Sequence, residues 1–463
     1  MRRRVISLLS VAVGALMAGS LCAPVTGAET LRVPDKGPYT AGLYTNGTTT
    51  ASILPEDAVG SAYVPHSNVL VLPTGQWRYL PPGVTEPVTV PAGDPGALKQ
   101  IRETKRWLRS GTVPGESDDQ RAAAERALLS MRALLQANGA AAAGWHGAWK
   151  YSWPRDTTFN AVAFARTGHP EEALRILRYN AATQRPDGTW EARTTLDGAG
   201  PPDDRKWQLD ANGWVPWAVW QWYQAAPEHS RADGLHELYP TIRKAADYAA
   251  NSLDAEGLPP AAPDYWEIDT TTANIGTAAP LLSGLNASAS LARRLGNDED
   301  ADRWAAASSK LSAAIAKHFA PLGYQRTVDG LHGRDSAAAF MAPPFNEPPP
   351  DLDVALDDTF QALRRGNGGL VPGDDPGHDW GENTWTPSTS FFALAWSGMD
   401  QDGKASGVLD WVLAARNSLG ELPEKVAPDG TGTSMVPLGW TDSIVLMALS
   451  QLDQGPMPVP PRA

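Results

Sequence analysis

The distribution of apolar residues along this chain changes near residue 95. Before that point, over 29–94, short alternating runs such as Asn68–Leu72 and Gln76–Leu80 lie between segments rich in Pro, Gly and Thr. This pattern is typical of short strands joined by turns. After residue 95, apolar residues recur at three- and four-residue steps, which is typical of amphipathic helices. The sequence therefore predicts a short β-rich lead-in followed by a helical body.

The segment from Asp118 to Ala137 shows the helical pattern clearly. Its apolar positions are Ala124, Ala127, Leu128, Met131, Leu134 and Leu135, and its charged positions include Arg121, Glu125 and Arg132. Similar segments begin near Ala97, Asp156, Pro170, Asp210, Leu238, Thr271, Asp300, Leu352, Pro387, Lys404 and Leu438. About twelve helices are therefore predicted over residues 95–453.

Twelve consecutive helices can form six helical hairpins. Such hairpins can stand side by side and close into a ring with an inner and an outer layer, which buries the apolar faces of both layers. The pattern thus favours an all-α fold, an (α/α)6 barrel with the β-rich lead-in packed on it. An open solenoid and a helical bundle are the alternatives, and the lack of a short fixed sequence period counts against the solenoid.

Composition narrows the class of ligand. The 463 residues are 42% hydrophobic and 20% charged, which suits a large globular core. A formal net charge of -13 argues against nucleic acid or an anionic membrane surface as a partner and favours neutral or cationic ligands. The 18 tryptophans suit core packing, and they also suit the C–H faces of sugar rings.

The two ends of the chain have compositions of their own. Residues 1–28 resemble an export signal, with three arginines, an apolar run from Val5 to Leu21 and small residues up to Ala28, so we expect a secreted, extracellular protein. Cys22 is the only cysteine, and Leu21 directly before it makes a poor lipidation pattern. We expect no membrane association after signal cleavage, a monomer, and a stiff Pro-rich connector at 454–463.

The first candidate for chemistry is Glu267, which follows Asp264, Tyr265 and Trp266 in a loop. Aromatic neighbours that strip water from a carboxyl group disfavour its charged form, which suits a general acid. The alternative is a solvated loop carboxylate beside two rings that belong to the core. This stretch alone does not decide between them.

A second candidate lies at a predicted helix start, in Tyr151–Asp156. Helix geometry explains Pro154 and Asp156, since Pro and an acidic residue both favour the first turn. It does not explain Arg155, whose planar guanidinium beside a carboxylate could grip sugar hydroxyls.

Glu424, within Leu422–Val426, is the third candidate. Alone it would be a surface glutamate. Hydrolysis of a glycosidic bond, however, requires one protonated carboxyl group and one ionised carboxylate, and Glu267 with Glu424 would meet that requirement.

Together these motifs resemble the glucoamylase-like enzymes of glycoside hydrolase family 15. The likeness rests on Tyr-Ser-Trp-Pro-Arg-Asp at 151–156, Asp-Tyr-Trp-Glu at 264–267 and Leu-Pro-Glu-Lys-Val at 422–426. It rests also on Pro-Leu-Gly-Trp-Thr at 437–441. Weaker matches lie at 208–213, 333–337 and 383–387, and all the motifs follow the family's order over roughly residues 145 to 452. The resemblance implies an (α/α)6 barrel and an inverting hydrolase that releases glucose from the non-reducing ends of α-1,4 or α-1,6 glucans or oligosaccharides.

The resemblance also implies roles for individual residues. Glu267 would be the general acid and Glu424 the general base, with their carboxyl groups about 6.5 to 9.5 Å apart so that a water fits between base and sugar. The implied substrate-binding residues are Tyr151, Trp153, Arg155, Asp156, Gln208, Asp210, Trp266, Trp385 and Trp440, although Asp210 could instead cap a helix. No metal or organic cofactor is implied, and the eight histidines show no metal-ligand spacing.

Two departures from the family pattern concern the substrate. Ile268 stands where a second acidic residue usually follows the general acid. No arginine stands in Gly368–Gly373, where the family often has a sugar-binding one, and Arg334, Arg364 or Arg365 could replace it.

Three other functions stay open. One is a trehalase or another α-glucoside hydrolase on the same barrel. Another is a carbohydrate-binding protein without catalysis, against which the presence of both Glu267 and Glu424 counts. A polysaccharide lyase would need a basic groove for uronates, which this acidic chain does not indicate.

Overall fold

The structure is a computed structural model that describes residues 37–462. The predicted signal at 1–28, Cys22 and the start of the β-rich lead-in lie outside the described residues. The described residues form one compact unit. Two hydrophobic clusters dominate its interior, a large one among the helices and a small one beneath the lead-in strands.

The lead-in consists of short antiparallel strands. A hairpin pairs β1 with β2, and a four-stranded meander runs in the order β3-β4-β5-β6. The bounds are β1 Gly42–Thr45, β2 Thr50–Ile53, α1 Pro55–Ala58, β3 Ala62–Tyr63, β4 Leu70–Val71, β5 Trp77–Tyr79 and β6 Val88–Val90. The two alternating runs singled out in the sequence contain β4 and β5.

Twelve longer helices follow within the described part of the chain, which confirms the all-α prediction. They are α2 Pro95–Leu108, α3 Asp118–Leu134, α4 Pro154–Arg166, α5 Pro170–Ala182, α6 Ala211–Ala225, α7 Glu228–Ser252, α8 Ile275–Arg294, α9 Asp298–His318, α10 Leu352–Leu363, α11 Thr386–Gly398, α12 Asp402–Ala414 and α13 Gly439–Gln454. The largest error is at α7, which begins ten residues before the predicted Leu238. Its first turn and a half is polar and largely exposed, so it carries no apolar face for a pattern to reveal.

The helices form a double-layered ring. The inner layer is α4, α6, α8, a short 3-10 helix at Ser336–Met341, α11 and α13, and the contact of α13 with α4 closes it. The outer layer is α3, α5, α7, α9, α10 and α12, each packed against an inner element. The fold is thus the predicted (α/α)6 barrel.

The assignment of helices to the ring differs from the prediction in one place. The segment near Ala97 forms α2, which lies outside both layers, where Ala97 and Ile101 pack against Val69 and Tyr79 of the lead-in. The vacant inner position is filled by Ser336–Met341, which is only six residues long. A helix of that length is too short to show a periodic pattern in the sequence.

Inner and outer helices differ in burial. Nearly every residue of α4, α8, α11 and α13 is buried, whereas α5, α7 and α9 bury one face. The inner helices α6 and α8 approach closely at Gly213 and Gly284. A Cβ on Gly213 would lie 2.1 Å from the Pro280 carbonyl oxygen, so no larger residue fits there without separating the two helices.

The remaining segments pack on the barrel. From the lead-in, Tyr63 donates its hydroxyl to Glu421 at 2.9 Å, and the Tyr39 amide donates to Ser434 at 2.9 Å. The Pro-rich tail was predicted to be a connector, but it returns across the barrel. The apolar side chain of Met457 is buried among the helices, which stabilises the docked tail. Gln221 also donates to the Pro458 carbonyl at 2.8 Å.

Candidate active site

The sequence motifs come together where α4, α11 and α13 begin and in the segment before α8. They surround a cavity of about 210 Å³. Its lining is Ala143, Ala148, Trp149, Trp153, Arg155, Asp156, Arg193, Arg205, Tyr265, Trp266, Glu267, Trp385, Pro387, Glu424, Leu438 and Trp440. Both predicted carboxylates are in this set.

Glu267 lies in a tight turn before α8. The turn is closed by two bonds, Glu267 N–H to the Asp264 carbonyl at 2.8 Å and Asp264 N–H to the Ile268 carbonyl at 2.9 Å. Glu267 has a φ of 66°, in the left-handed region that side-chain-bearing residues rarely occupy. Such strain persists only where the surrounding structure enforces it, and it often marks functional positions.

Two donors hold the Glu267 carboxylate. Trp153 donates its indole N–H to Oε1 at 2.7 Å, and Arg205 donates from Nη1 to Oε2. The sequence predicted an acid surrounded by rings. In the structure both carboxylate oxygens of Glu267 accept a hydrogen bond, one from the Trp153 ring and one from Arg205. The surroundings of this carboxylate are therefore polar as well as aromatic.

A buried charge cluster anchors the turn from behind. Arg326 is 1% exposed, and its Nε donates to Asp335 at 2.6 Å. Its Nη1 lies 3.4 Å from the carboxylate of Asp264. Burial raises the pKa of Asp264, and Arg326 partly offsets this effect. Tyr265 donates its hydroxyl to Asp335 at 2.6 Å. The ring of Tyr265 therefore belongs mainly to the core.

Glu424 is held by a small sheet at the cavity rim. Strand β7 (Thr384–Trp385) pairs with β8 (Lys425–Val426), and β8 pairs with β9 (Gly432–Thr433). The Trp149 indole N–H donates to Glu424 Oε1 at 3.3 Å, and the Ser434 hydroxyl donates to Oε2. The base candidate is therefore a 7% exposed carboxylate, not a surface glutamate.

Arg155 and Asp156 lie at the start of α4 and both line the cavity. Arg155 Nη1 donates to Gln208 at 3.1 Å and to Asp210 at 3.2 Å. Burial raises the pKa of Asp156 to about 7, and Arg155 only partly offsets it. This pair combines a fixed guanidinium with a carboxyl group that titrates near neutrality.

Three predicted substrate-binding residues do not line the cavity, namely Tyr151, Gln208 and Asp210. Gln208 and Asp210 lie behind Arg155 and orient it. Asp210 occupies the N-cap position of α6, but its side chain makes no capping bond and instead accepts from Trp214 and Arg155. Burial raises the pKa of Asp210. Both Gln208 and Asp210 therefore contact Arg155 in this structure and do not face the cavity.

Aromatic rings form most of the remaining wall. Trp266 packs edge-on against Trp385 with ring centroids 5.0 Å apart and tilts against Trp440 at 5.6 Å. Tyr151 is outside the lining. Its ring lies 4.5 Å from the Arg193 guanidinium carbon, which places Arg193 between Tyr151 and the cavity.

Several buried polar atoms of the lining have no hydrogen-bond partner among residues 37–462. They are Arg155 Nε, Asp156 Oδ2, Trp266 Nε1, Trp385 Nε1 and Trp440 Nε1. Leaving such groups unpaired in the interior costs free energy. These atoms are shielded from solvent in this structure, and Arg155 Nε and Asp156 Oδ2 face each other at 3.5 Å.

The sequence missed Trp149, Arg193, Arg205 and Ser434. All four lie outside the recognised motifs. Trp149 ends the short 3-10 helix Gly147–Trp149, and Arg205 is 62 residues from Glu267, its partner. Arg334, Arg364 and Arg365, which were considered as sugar-binding arginines, do not line the cavity. The nearness of Trp149 to Trp153 is the one local signal that could have found any of them.

Two further properties concern the described residues alone. Over 37–462 there is no group of three His, Cys, Asp or Glu side chains placed to hold a metal ion. In the same range, none of the helices is both long enough and apolar enough to cross a membrane.

Sequence comparison gives one distant relative. No protein-family model matches the chain. An uncharacterized glycosyl hydrolase of Methanocaldococcus jannaschii is 23% identical over 356 residues, which are 71% of this chain and 56% of that protein. The match thus spans little more than half of the relative's length.

Structural comparison gives glycosidases. A wild-type glycosidase has a TM-score of 0.60 at 20% identity and covers 73% of this chain and 97% of that one. A bacterial glucoamylase complexed with acarbose has a TM-score of 0.61 at 15% identity, over 78% of this chain and 59% of that one. A GH63 mannosylglycerate hydrolase from Thermus thermophilus, in complex with glucose, has a TM-score of 0.54 at 16% identity, over 69% and 98%. The shared feature is the helical barrel fold.

Proposed function

We propose that this protein is a glycoside hydrolase of the glucoamylase type that releases glucose from the non-reducing ends of α-glucosides. The observation that carries the proposal is that Glu267 and Glu424 line one cavity together with Arg155, Asp156 and several tryptophan rings. Two carboxyl groups in an aromatic, hydroxyl-binding cavity are what glycosidic hydrolysis requires. The distant glycosyl hydrolase relative and the glycosidase fold support the same reaction class.

In this proposal the two carboxyl groups have opposite tasks. Glu267, once protonated, transfers its proton to the glycosidic oxygen as the bond to the anomeric carbon breaks. Glu424 removes a proton from the water that attacks that carbon, which inverts its configuration. Arg155 and Asp156 bind hydroxyls of the non-reducing glucose, while Trp266, Trp385 and Trp440 pack on its ring.

A substrate panel with anomer detection tests the proposal. The purified protein is incubated with maltose, isomaltose, trehalose, soluble starch and dextran, and glucose release is followed by NMR. Initial release of β-glucose supports an inverting α-glucosidase, and the best substrate identifies the linkage, including trehalose. Initial α-glucose would exclude inversion of an α-linkage. Binding of these sugars without release would favour the carbohydrate-binding alternative.

Secretion belongs to the proposal as well. The pattern at 1–28 supports export, and a chain cleaved after Ala28 would contain no cysteine. Expression with the signal intact should yield extracellular protein whose mass corresponds to a start at Glu29. Recovery of the full-length mass from the cells alone would contradict export.

A further inference from the structure

A chain of ion pairs forms the wall of the cavity beside Glu267. Arg193 and Arg205 both donate to Oδ2 of Asp203, and the bond from Arg205 Nη2 is 3.2 Å long. Arg205 also donates from Nη1 to Glu267. Both arginines line the cavity, whereas Asp203 lies behind them. The order is thus Arg193, Asp203, Arg205, Glu267.

Arg193 is the fixed member of this chain. Its side chain is 6% exposed, and its Nη1 donates to the Ala148 carbonyl at 2.6 Å. Its guanidinium also lies over the rings of Tyr151 and Trp153, at 4.5 and 5.0 Å. Arg205 is 31% exposed and has no such packing among the described residues, so it is the member that can move.

The hydrogen bonds on Glu267 conflict with its proposed task. Oε1 accepts from Trp153 and Oε2 accepts from Arg205. A protonated carboxyl group keeps one carbonyl oxygen, so Oε1 can still accept from Trp153. An Oε2 that carries the proton is a weaker acceptor, and a guanidinium can only donate to it. Protonation of Oε2, which a general acid needs, therefore weakens its contact with Arg205.

Protonation also changes the charge balance of this wall. With Glu267 ionised, Arg193 and Arg205 balance Asp203 and Glu267. Among these four groups, protonation of Glu267 leaves one positive charge without a partner. Lys206 and Asp269 nearby pair with each other at the surface, at 2.5 Å, and do not line the cavity. Arg155 forms ion pairs with two other carboxylates, Asp156 and Asp210.

We propose that the leaving group of the natural substrate carries a carboxylate or phosphate that binds Arg205 and draws it away from Glu267. An oxyanion would replace the lost partner of Arg205 through the charge-assisted, fork-shaped contact that guanidinium favours. Ile268, in place of an acidic residue, adds no charge that would repel such a group.

This inference rests on the proposed hydrolysis and keeps its chemistry. The bond from the anomeric carbon to the glycosidic oxygen breaks, the proton of Glu267 goes to that oxygen, and the water oxygen bonds to the anomeric carbon. Glu424 receives a proton from the water. The products are glucose and an alcohol that retains its carboxylate or phosphate.

Matched pairs of substrates test the inference. One pair is the α-glucosides of glycerol and of glyceric acid, and the other is maltose and maltose phosphorylated on O6 of its reducing glucose. We expect kcat/KM for the charged member to exceed that for the neutral member by at least about tenfold, the effect of one hydrogen bond to a charged group. Preference within one pair identifies the oxyanion as carboxylate or phosphate.

Variants assign the effect to a side chain. Arg205→Gln should bring the charged-to-neutral ratio of kcat/KM close to one, and Arg205→Lys should retain part of it. Lys206→Gln is the matched control, because it removes a cation from the same loop outside the cavity, and it should leave the ratio unchanged. Thermal unfolding of each variant verifies that it is folded.

Three results would overturn the inference. They are equal hydrolysis of charged and neutral members, an equal loss on both members in Arg205→Gln, and a loss of the ratio in Lys206→Gln. Each of them would leave the proposed α-glucoside hydrolysis standing. Absence of glucose release from every compound, by folded protein, would overturn the proposed function itself.

Discussion

The indole N–H of Trp153 lies 2.7 Å from Oε1 of Glu267 and donates to it. Trp153 is the N-cap residue of α4, and Glu267 lies in the turn before α8. The bond therefore joins two inner-layer segments that are 114 residues apart. It fixes the orientation of a carboxylate whose backbone is already strained at φ 66°.

Replacement of Trp153 by Phe tests this contact. The Phe ring keeps the apolar wall but removes the donor, so Glu267 loses its orientation. Because a hydrogen bond to a charged group contributes about 1.5 to 3 kcal/mol, kcat should fall by about tenfold or more. The measurement is steady-state kinetics on the best substrate of the panel.

Trp385→Phe is the matched control for that variant. The indole Nε1 of Trp385 has no partner among the described residues, so its loss should affect KM more than kcat. Wild-type kcat in Trp153→Phe would show that the bond to Glu267 does not matter for the reaction.

Removal of either proposed catalytic carboxyl group should stop most turnover. Glu267→Gln and Glu424→Gln keep the size of each side chain but remove acid or base assistance, so kcat should fall by about two orders of magnitude or more. Asp269→Asn is the control, since Asp269 is an exposed carboxylate close to Glu267 in sequence that pairs with Lys206. Near-normal turnover in either glutamine variant would exclude the assigned role.

The activity should depend on the ionisation of Asp156. Burial raises the pKa of Asp156 to about 7, so this carboxyl group is protonated below that pH and ionised above it. The ionised form accepts more hydrogen bonds from sugar hydroxyls, so kcat/KM should rise as pH increases through about 7. In Asp156→Asn this rise should be absent. A rise at the same pH in the variant would assign it to another group.

Stability should depend on Asp442, in the first turn of α13. Asp442 is fully buried, and neither carboxylate oxygen has a hydrogen-bond partner among the described residues. Burial first, and the charge of Glu421 second, raise its pKa well above the ordinary value. The folded state therefore keeps this proton at pH values where the unfolded chain has lost it, so stability falls as pH rises above about 3.9.

Asp442→Asn should remove this fall in stability with rising pH, because asparagine does not titrate. The variant should be more stable than the wild type at about pH 7, and the two should converge as pH falls toward about 4. Urea unfolding at both pH values measures the difference in the free energy of unfolding. A constant difference across this range would show that Asp442 is not the titrating group.

The helical body could be predicted from sequence because its signal is local. Apolar spacing over a few turns located α3 and most other helices, and the alternating runs located β4 and β5. Apolar periodicity is absent from the polar first turns of α7 and from the six residues of Ser336–Met341, so the sequence did not predict these helical segments. No local pattern distinguishes α2, outside the ring, from the helices within it.

The candidate site likewise consists of residues that local motifs identified and of contacts that only the tertiary structure decided. Glu267, Glu424, Arg155 and Asp156 lie in short motifs that the sequence singled out as candidates, and all four line the same cavity. Closure of the ring decided the rest. It brought Arg205 onto Glu267 and turned Asp210 from the cavity toward Arg155. Those contacts join residues more than fifty positions apart, and only the packing of the inner helices determines which distant loops meet.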